Sequence, residues 1–285
     1  MTHPGYGFSD SLFRADFGPG QKVGWGLNER DFLRQMLARL EDVPQPFFSL
    51  LITLSLHYPF SEFPDDLRSL PEEISDDSTL GNYLEAMHFL DAAFEELFVG
   101  LEEQGLLDES ILVLYGDHDS GMAGEAEVLE PLGFSSEPPG WEPFCQIPLV
   151  IWVPGEGAPQ GEVDEVAGLS DLTPTLLALL GIDPSPYAFV GRNLLGRPRS
   201  SVLPRPNDCY VDNEHYFWAR GSEFRNGHCY RRSDLEEVEI EECRSGYEAA
   251  TRQRIVSRLV LEYDLQTTVS QYLRETLQES ATERR

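Results

Sequence analysis

Three stretches of this chain are apolar almost without interruption, and each stops at a polar or loop-forming residue: "PFFSLLITL" at 46–54, "SILVLY" at 110–115 and "QIPLVIWVPG" at 146–155. A strand with one wet face alternates apolar and polar residues. A run without alternation asks for cover on both faces, the condition of a parallel sheet between helical layers. The runs are strand-sized and well short of the ~20 residues that cross a bilayer. They predict strands at 47–54, 111–115 and 148–152 in one largely parallel sheet.

Between them lie helical patterns. Asn28 is placed to cap a helix over 30–40, with Phe32, Leu33, Met36, Leu37 and Leu40 on one face. Residues 61–77 are acidic and contain proline, which reads as a surface loop. Ser78 or Thr79 begins a long helix carrying Leu80, Tyr83, Leu84, Met87, Leu90, Phe94, Leu97, Phe98 and Leu101 at helical spacing, and Gly105 stops it. "LSDLTPTLLALLGI" predicts another helix, with Ser170 or Asp171 as cap, Pro174 in the first turn and Gly181 at the end. Strands alternating with helices indicate an α/β fold with a mostly parallel sheet flanked by helices.

After about Leu195 the pattern changes. "CYVDNEHYFWARGSEFRNGHCYRR" alternates and turns like antiparallel hairpins, and 247–279 reads as a final amphipathic helix. A boundary is expected near residue 200, giving a main domain over 1–200 and a small α+β extension over 201–285. None of the cysteines, Cys145, Cys209, Cys229 and Cys243, forms a C-x-x-C pair, so a zinc knuckle is not indicated. The three late ones allow either free thiols or a disulfide, for which Cys229 with Cys243 is the favoured pair.

Charge narrows the function. The formal net charge is −29 and Lys22 is the only lysine. Such a surface repels phosphate backbones, so nucleic acid is not an expected partner. Residues 1–20 lack the basic start and apolar core of a signal peptide, and no run is long enough to span a membrane.

Two of the predicted strands end in groups suited to chemistry. One leads to His57 in "TLSLHYPF", the other to Asp117 and His118 in "YGDHDSGM". Ligands of open parallel sheets bind beyond the carboxyl ends of the strands. A carboxylate beside a neutral imidazole is a partial ligand set for Zn²⁺ or Mn²⁺, and Gly116 permits the bend that would turn both inward. The same "GDH" also arises where an aspartate caps a turn and a histidine sits in solvent. His57, Asp117 and His118 are expected on one rim with converging side chains. His88, His215 and His228 read as packing, surface or structural residues, with no partner at ligand spacing. Asp171 and Thr175 read as helix-start residues, and Trp141 as a loop residue that lines a groove or packs on its neighbours.

"PFFSLLITLSLHYPF", "LDESILVLYGDH", "IPLVIWVPG" and "SDLTPTLLALLGI" occur in this order. Together they resemble the sulfatase and alkaline phosphatase superfamily, and more narrowly its lipoteichoic acid synthase and phosphoglycerol transferase branch. "ITLSLHYPF" is the most specific element. The resemblance runs over about residues 5–195. It implies that Asp117 and His118 are ligands of a catalytic divalent metal, Mn²⁺ in this branch, with Zn²⁺, Mg²⁺ or Ca²⁺ as alternatives. It implies that His57 contacts the phosphoglycerol group of a glycerophospholipid headgroup or another phosphodiester. It also implies a site on the extracytoplasmic side of a membrane or in the periplasm.

The family's nucleophile, a metal-activated threonine or serine, lies upstream of the histidine motif. No counterpart is found in the 56 residues before His57, which hold Ser9, Ser11 and Ser49, so no catalytic nucleophile is assigned. The branch's upstream tryptophan–arginine motif and membrane helices are not found either. The chain is expected to be the C-terminal part of a larger catalytic domain, through a truncated gene, a misplaced start at Met1, or as a short protein in its own right. Two functions stay open: a phosphoglycerol transferase or sulfatase- or phosphatase-type hydrolase whose upstream half is supplied elsewhere, and a non-catalytic domain that keeps the fold and binds a partner.

Overall fold

In the computed structural model, residues 3–196 and 201–283 are described, with side chains for 5–196 and 201–277. Contacts divide the chain into two compact units, 1–136 with 141–158, and 137–140 with 159–285. The hairpins begin at Val202, and the second unit takes in residues from 159 onward. Val166 shares a buried cluster with Val211 and Tyr216, so burial assigns that segment to the hairpins.

The first unit opens with a small hairpin, β1 (Lys22–Val23) and β2 (Gly26–Leu27), leading into α1 (Glu29–Leu40). The Asn28 side chain accepts the Asp31 amide at 3.0 Å, as its position predicts. Leu33, Met36 and Leu40 are the buried side of α1. Helix α2 (Thr79–Glu103) is capped by Ser78, whose hydroxyl accepts the Gly81 amide at 3.0 Å. Gly105 at φ +68 turns the chain, and the Leu106 amide reaches back to the Leu101 carbonyl at 2.8 Å. The buried stripe of α2 runs through Gly81, Asn82, Glu85, Ala86, Phe89 and Ala93, and Met87 is exposed. Helices α1 and α2 pack so closely that a Cβ on Gly100 would lie 2.5 Å from Leu37.

Two of the apolar runs form strands, β3 (Leu112–Tyr115) and β4 (Leu149–Trp152), but they pair antiparallel, Leu112 opposite Trp152 and Tyr115 opposite Leu149. The expected parallel sheet is corrected: every ladder among the described residues is antiparallel. A parallel pair needs a crossover, usually a helix of some length. Between β3 and β4 the chain offers only the four-residue α3 (Ala126–Leu129) and short 3₁₀ turns, and it returns alongside. Residues 47–54 carry no ladder. Phe47 packs with Leu40, Leu101 and Leu106, while Phe48, Leu50, Ile52 and Leu54 are exposed. Apolar content states how much cover a strand needs; a ladder requires a neighbour's backbone as well.

In the second unit α4 (Leu172–Leu179) ends at Gly181, φ +73. Asp171 and Thr175 do begin this helix, and both are buried because they tie it to a later loop. Asp171 accepts the Gly168 and Arg192 amides at 2.9 and 2.7 Å. The Thr175 hydroxyl donates to the Asp171 carbonyl at 2.7 Å and accepts the Leu194 amide at 3.0 Å. An antiparallel sheet follows in the order β5 (Val202–Pro204), β6 (Tyr210–Asp212), β7 (His215–Trp218), β8 (His228–Arg231), β9 (Glu237–Val238).

Cys229 and Cys243 are disulfide-bonded, joining β8 to the start of α5 (Arg244–Glu262). Gly246 sits on the Tyr210 ring, where a Cβ would approach to 2.4 Å. The single helix expected over 247–279 is instead two, α5 and α6 (Gln266–Glu283). Asp264, at φ +51, takes the left-handed position that glycine more often fills, and the Leu265 amide closes back on the Val260 carbonyl at 2.9 Å. His215 and His228 are not without partners: His215 lies 3.7 Å from Asp212 and 3.6 Å from Glu242, and His228 Nδ1 lies 2.6 Å from Glu237.

Candidate functional site

The loop bearing His57 is built from a buried carboxylate outward. Glu29, in the first turn of α1, is fully buried, and its Oε1 accepts the Ser55 amide at 2.9 Å. The β1–β2 hairpin presses on the same stretch. Gly24 adopts φ +54, and a Cβ there would stand 3.0 Å from the Leu54 carbonyl oxygen. The Trp25 amide donates to that carbonyl at 3.5 Å. Residues 54–55 are therefore held from two sides just before His57.

Beyond His57 the chain reverses at Phe60, φ +52, a conformation costly for a non-glycine residue. Two contacts hold it there. The Phe60 ring is buried with Met122 and Val128, and its carbonyl accepts the Asn82 side-chain amide at 3.0 Å. The loop after β3 is tied to the same cluster. The Gly116 amide extends the β3–β4 ladder to the Pro148 carbonyl at 3.2 Å, and the chain then leaves the sheet through Asp117 and His118. Asp119 accepts the Gly121 amide at 2.9 Å and Ser120 the Met122 amide at 3.3 Å, a tight turn that plants Met122 in the core. Leu56 from the first loop and Leu80 and Tyr83 from α2 complete the cluster.

Burying Leu56, Phe60 and Met122 together brings the two loops face to face. The His57 and His118 rings meet edge to face with centroids 6.1 Å apart. Each histidine places Nδ1 2.7 Å from the carbonyl of the next residue, Tyr58 and Asp119 respectively. A carbonyl only accepts, so Nδ1 carries the hydrogen in both contacts, and in that tautomer the lone pair lies on Nε2. That is the tautomer a metal-binding imidazole uses. His118 Nε2 lies 3.6 Å from Asp117 Oδ1, and both side chains are exposed. Tyr58 reaches across to Glu125, and that hydrogen bond holds its phenol above the ordinary tyrosine range.

The residues fit a divalent cation in kind but not in number. Asp117 and His118 supply one carboxylate and one imidazole; among the described residues no group of three His, Cys, Asp or Glu forms that could hold a metal ion. A catalytic zinc-type site takes three protein ligands.

One aromatic residue at the site was not anticipated. Trp25, at the hairpin tip, stacks flat on His57 with centroids 3.7 Å apart and planes 20° from parallel, and is still 62% exposed. The signal for it in the sequence was "VGWGLN", an aromatic between two glycines just before a helix cap. His88 is exposed on α2 and plays no part in the site.

Residues 6–182, more than half of the chain, match the family model described as Sulfatase. The lipoteichoic acid synthase of Staphylococcus saprophyticus is 31% identical over 194 residues, 67% of this chain and 29% of that protein. Lipoteichoic acid synthase 1 of Bacillus subtilis is 33% identical over 214 residues, 73% of this chain and 32% of that protein. The crystal structure of the lipoteichoic acid synthase LtaP from Listeria monocytogenes superposes with a TM-score of 0.73 at 25% identity, covering 95% of this chain and 65% of that one. The chain spans about a third of the length of the curated relatives it matches.

Proposed function

Because the chain belongs to the sulfatase family, and to the lipoteichoic acid synthase-like part of the sulfatase and alkaline phosphatase superfamily, we propose that it is part of a metal-dependent phosphoglycerol transferase acting on a glycerophospholipid headgroup. The observation that carries this reading is the pairing of His57 with His118, two loops apart in sequence, with the Nδ1 of each imidazole spent on a backbone carbonyl.

Superfamily members are generally metal-dependent. Asp117 and His118 are the residues that would hold the ion, Mn²⁺ by the branch resembled, and a bound cation would supply charge neutralisation on phosphoryl oxygens. Two donors do not by themselves complete a cation site. What the chain's own residues do is bind and orient. His57 accepts a glycerol hydroxyl through its Nε2 lone pair, with the ring fixed in plane by its Nδ1 contact and by Trp25. The remaining ligands and the nucleophile belong to an upstream half of the catalytic domain, with membrane helices, on the extracytoplasmic or periplasmic side. Among the described residues no helix is long and apolar enough to cross a membrane.

The test is titration of the purified chain with sn-glycerol 1-phosphate, with and without Mn²⁺. Expected is binding that Mn²⁺ strengthens, weakened by His57→Ala and losing its Mn²⁺ dependence in Asp117→Ala. No binding by the wild-type chain, or binding indifferent to both substitutions, overturns the reading. A second reading, a domain that binds without turnover, draws on the absence of a three-ligand cluster among the described residues. It predicts the same binding but no transferase activity when the upstream half of a relative is added.

A further inference from the structure

Trp25 raises a physical question. An exposed indole is an unfavourable thing to hold still, yet four features fix this one. Val23, at the base of its hairpin, is buried against Phe63, Ala86 and Phe89. The Trp25 amide donates to the Leu54 carbonyl. A Cβ on Gly26 would come within 2.8 Å of the Leu54 side chain, so the hairpin lies directly on that residue. Glu29, two residues past the hairpin, grips Ser55. The hairpin is thus anchored to the backbone that leads into the His57 turn, and one indole face is committed to the imidazole. With much of the ring still open, the exposed part borders the position that His57 addresses.

We infer that Trp25 is a substrate-positioning and specificity-determining residue: it locks the His57 ring plane and gives an apolar wall to the carbon face of a phosphorylated glycerol. The inference rests on the reading of His57 as the phosphoglycerol contact. The physics is complementary. A phosphate is satisfied by charge, which a bound cation would supply, and the glycerol hydroxyls by His57. The carbon skeleton of glycerol has no such partner, and an aromatic face is the surface that gains from covering it. A rigid wall also costs less ordering on binding than a loop side chain free to rotate. Inorganic phosphate lacks the carbon skeleton and gains nothing from Trp25.

The experiment titrates the full chain, in Mn²⁺, with sn-glycerol 1-phosphate and separately with inorganic phosphate, for wild type, Trp25→Ala and Trp25→Phe. Circular dichroism and thermal melting establish that each variant folds. Indole emission is read alongside, with Trp25→Phe as the blank for the other tryptophans. Expected for Trp25→Ala is about a tenfold loss of glycerophosphate affinity with phosphate affinity held within about twofold. Trp25→Phe recovers most of the loss, and glycerophosphate, but not phosphate, perturbs the Trp25 emission. Equal losses for both ligands, or no loss for either, overturn the inference and leave the functional reading standing. Failure of the wild-type chain to bind glycerophosphate at all overturns the functional reading, and this inference with it.

Discussion

Glu29 and Ser55 are joined across 26 residues of sequence: the Glu29 carboxylate accepts the Ser55 amide at 2.9 Å, and both residues are buried. A carboxylate from the first turn of a helix is thereby used to hold the loop that leads to His57. Its second oxygen has no hydrogen-bond partner among the described residues.

Removing that carboxylate should therefore loosen both the fold and the site. Glu29→Ala leaves a buried amide unpaired and opens a void, at a cost of about 2–4 kcal/mol. Glu29→Gln keeps an acceptor for Ser55 and should cost about 1 kcal/mol or less. Urea denaturation measures both. Glycerophosphate binding should fall further in Glu29→Ala than in Glu29→Gln. Equal stability of the alanine variant and the wild type would refute the role given to this contact.

Alkaline pH should act on the second unit through Tyr210. Its ring is buried and its hydroxyl donates to the Cys243 carbonyl at 2.8 Å. Burial, and secondarily the Asp212 charge, push its phenol well above the ordinary value of about 10. The folded state holds the proton more tightly than the unfolded state does. This contribution to stability is complete below the unfolded value and is lost as pH rises from there toward the folded one. The urea midpoint should decline between pH 9 and 11, and more shallowly in Tyr210→Phe. Identical slopes would show that other groups carry the alkaline loss.

The Cys229–Cys243 bond closes a loop with a sequence separation of 14. Loop-closure entropy gives such a bridge a worth of roughly 3 kcal/mol. Reduction should lower the unfolding midpoint of the second unit, and Cys229→Ala with Cys243→Ala should reproduce the shift without reductant. A midpoint unchanged by dithiothreitol, with free thiols verified by labelling, would contradict this.

Catalysis by this chain alone should be slight. On the proposed reading Asp117 and His118 hold a cation and His57 the glycerol, but cleavage needs an oxygen delivered in line with phosphorus. Purified protein with Mn²⁺ and p-nitrophenyl phosphodiesters should show little turnover. Clear Mn²⁺-dependent turnover, abolished by Asp117→Ala, would reveal a nucleophile within the chain.

Local chemistry was legible in the sequence wherever a signal and its effect lie within a few residues. Asn28 and Ser78 cap their helices, and Gly105 and Gly181 end theirs, because each acts on the adjacent turn. The order of four motifs identified the family, and His57, Asp117 and His118 were marked by their place after apolar runs. The break between α5 and α6 was missed because Asp264, not glycine, takes the left-handed turn.

What the tertiary structure decided depends on groups far apart in the chain. The direction of the β3–β4 pair follows from a connection with no crossover helix, which apolar content does not encode. His57 approaches His118 because Leu56 and Phe60 from one loop and Met122 from the other are buried in a single cluster, an outcome of packing that neither motif specifies. Trp25 reaches His57 because Glu29 and a glycine-flanked hairpin converge on the same two backbone residues, Leu54 and Ser55. Capping, turning and strand preference act through the nearest backbone and can be read along the chain. Convergence acts through burial in three dimensions, and the sequence carries it only as apolar residues whose partners the fold must choose.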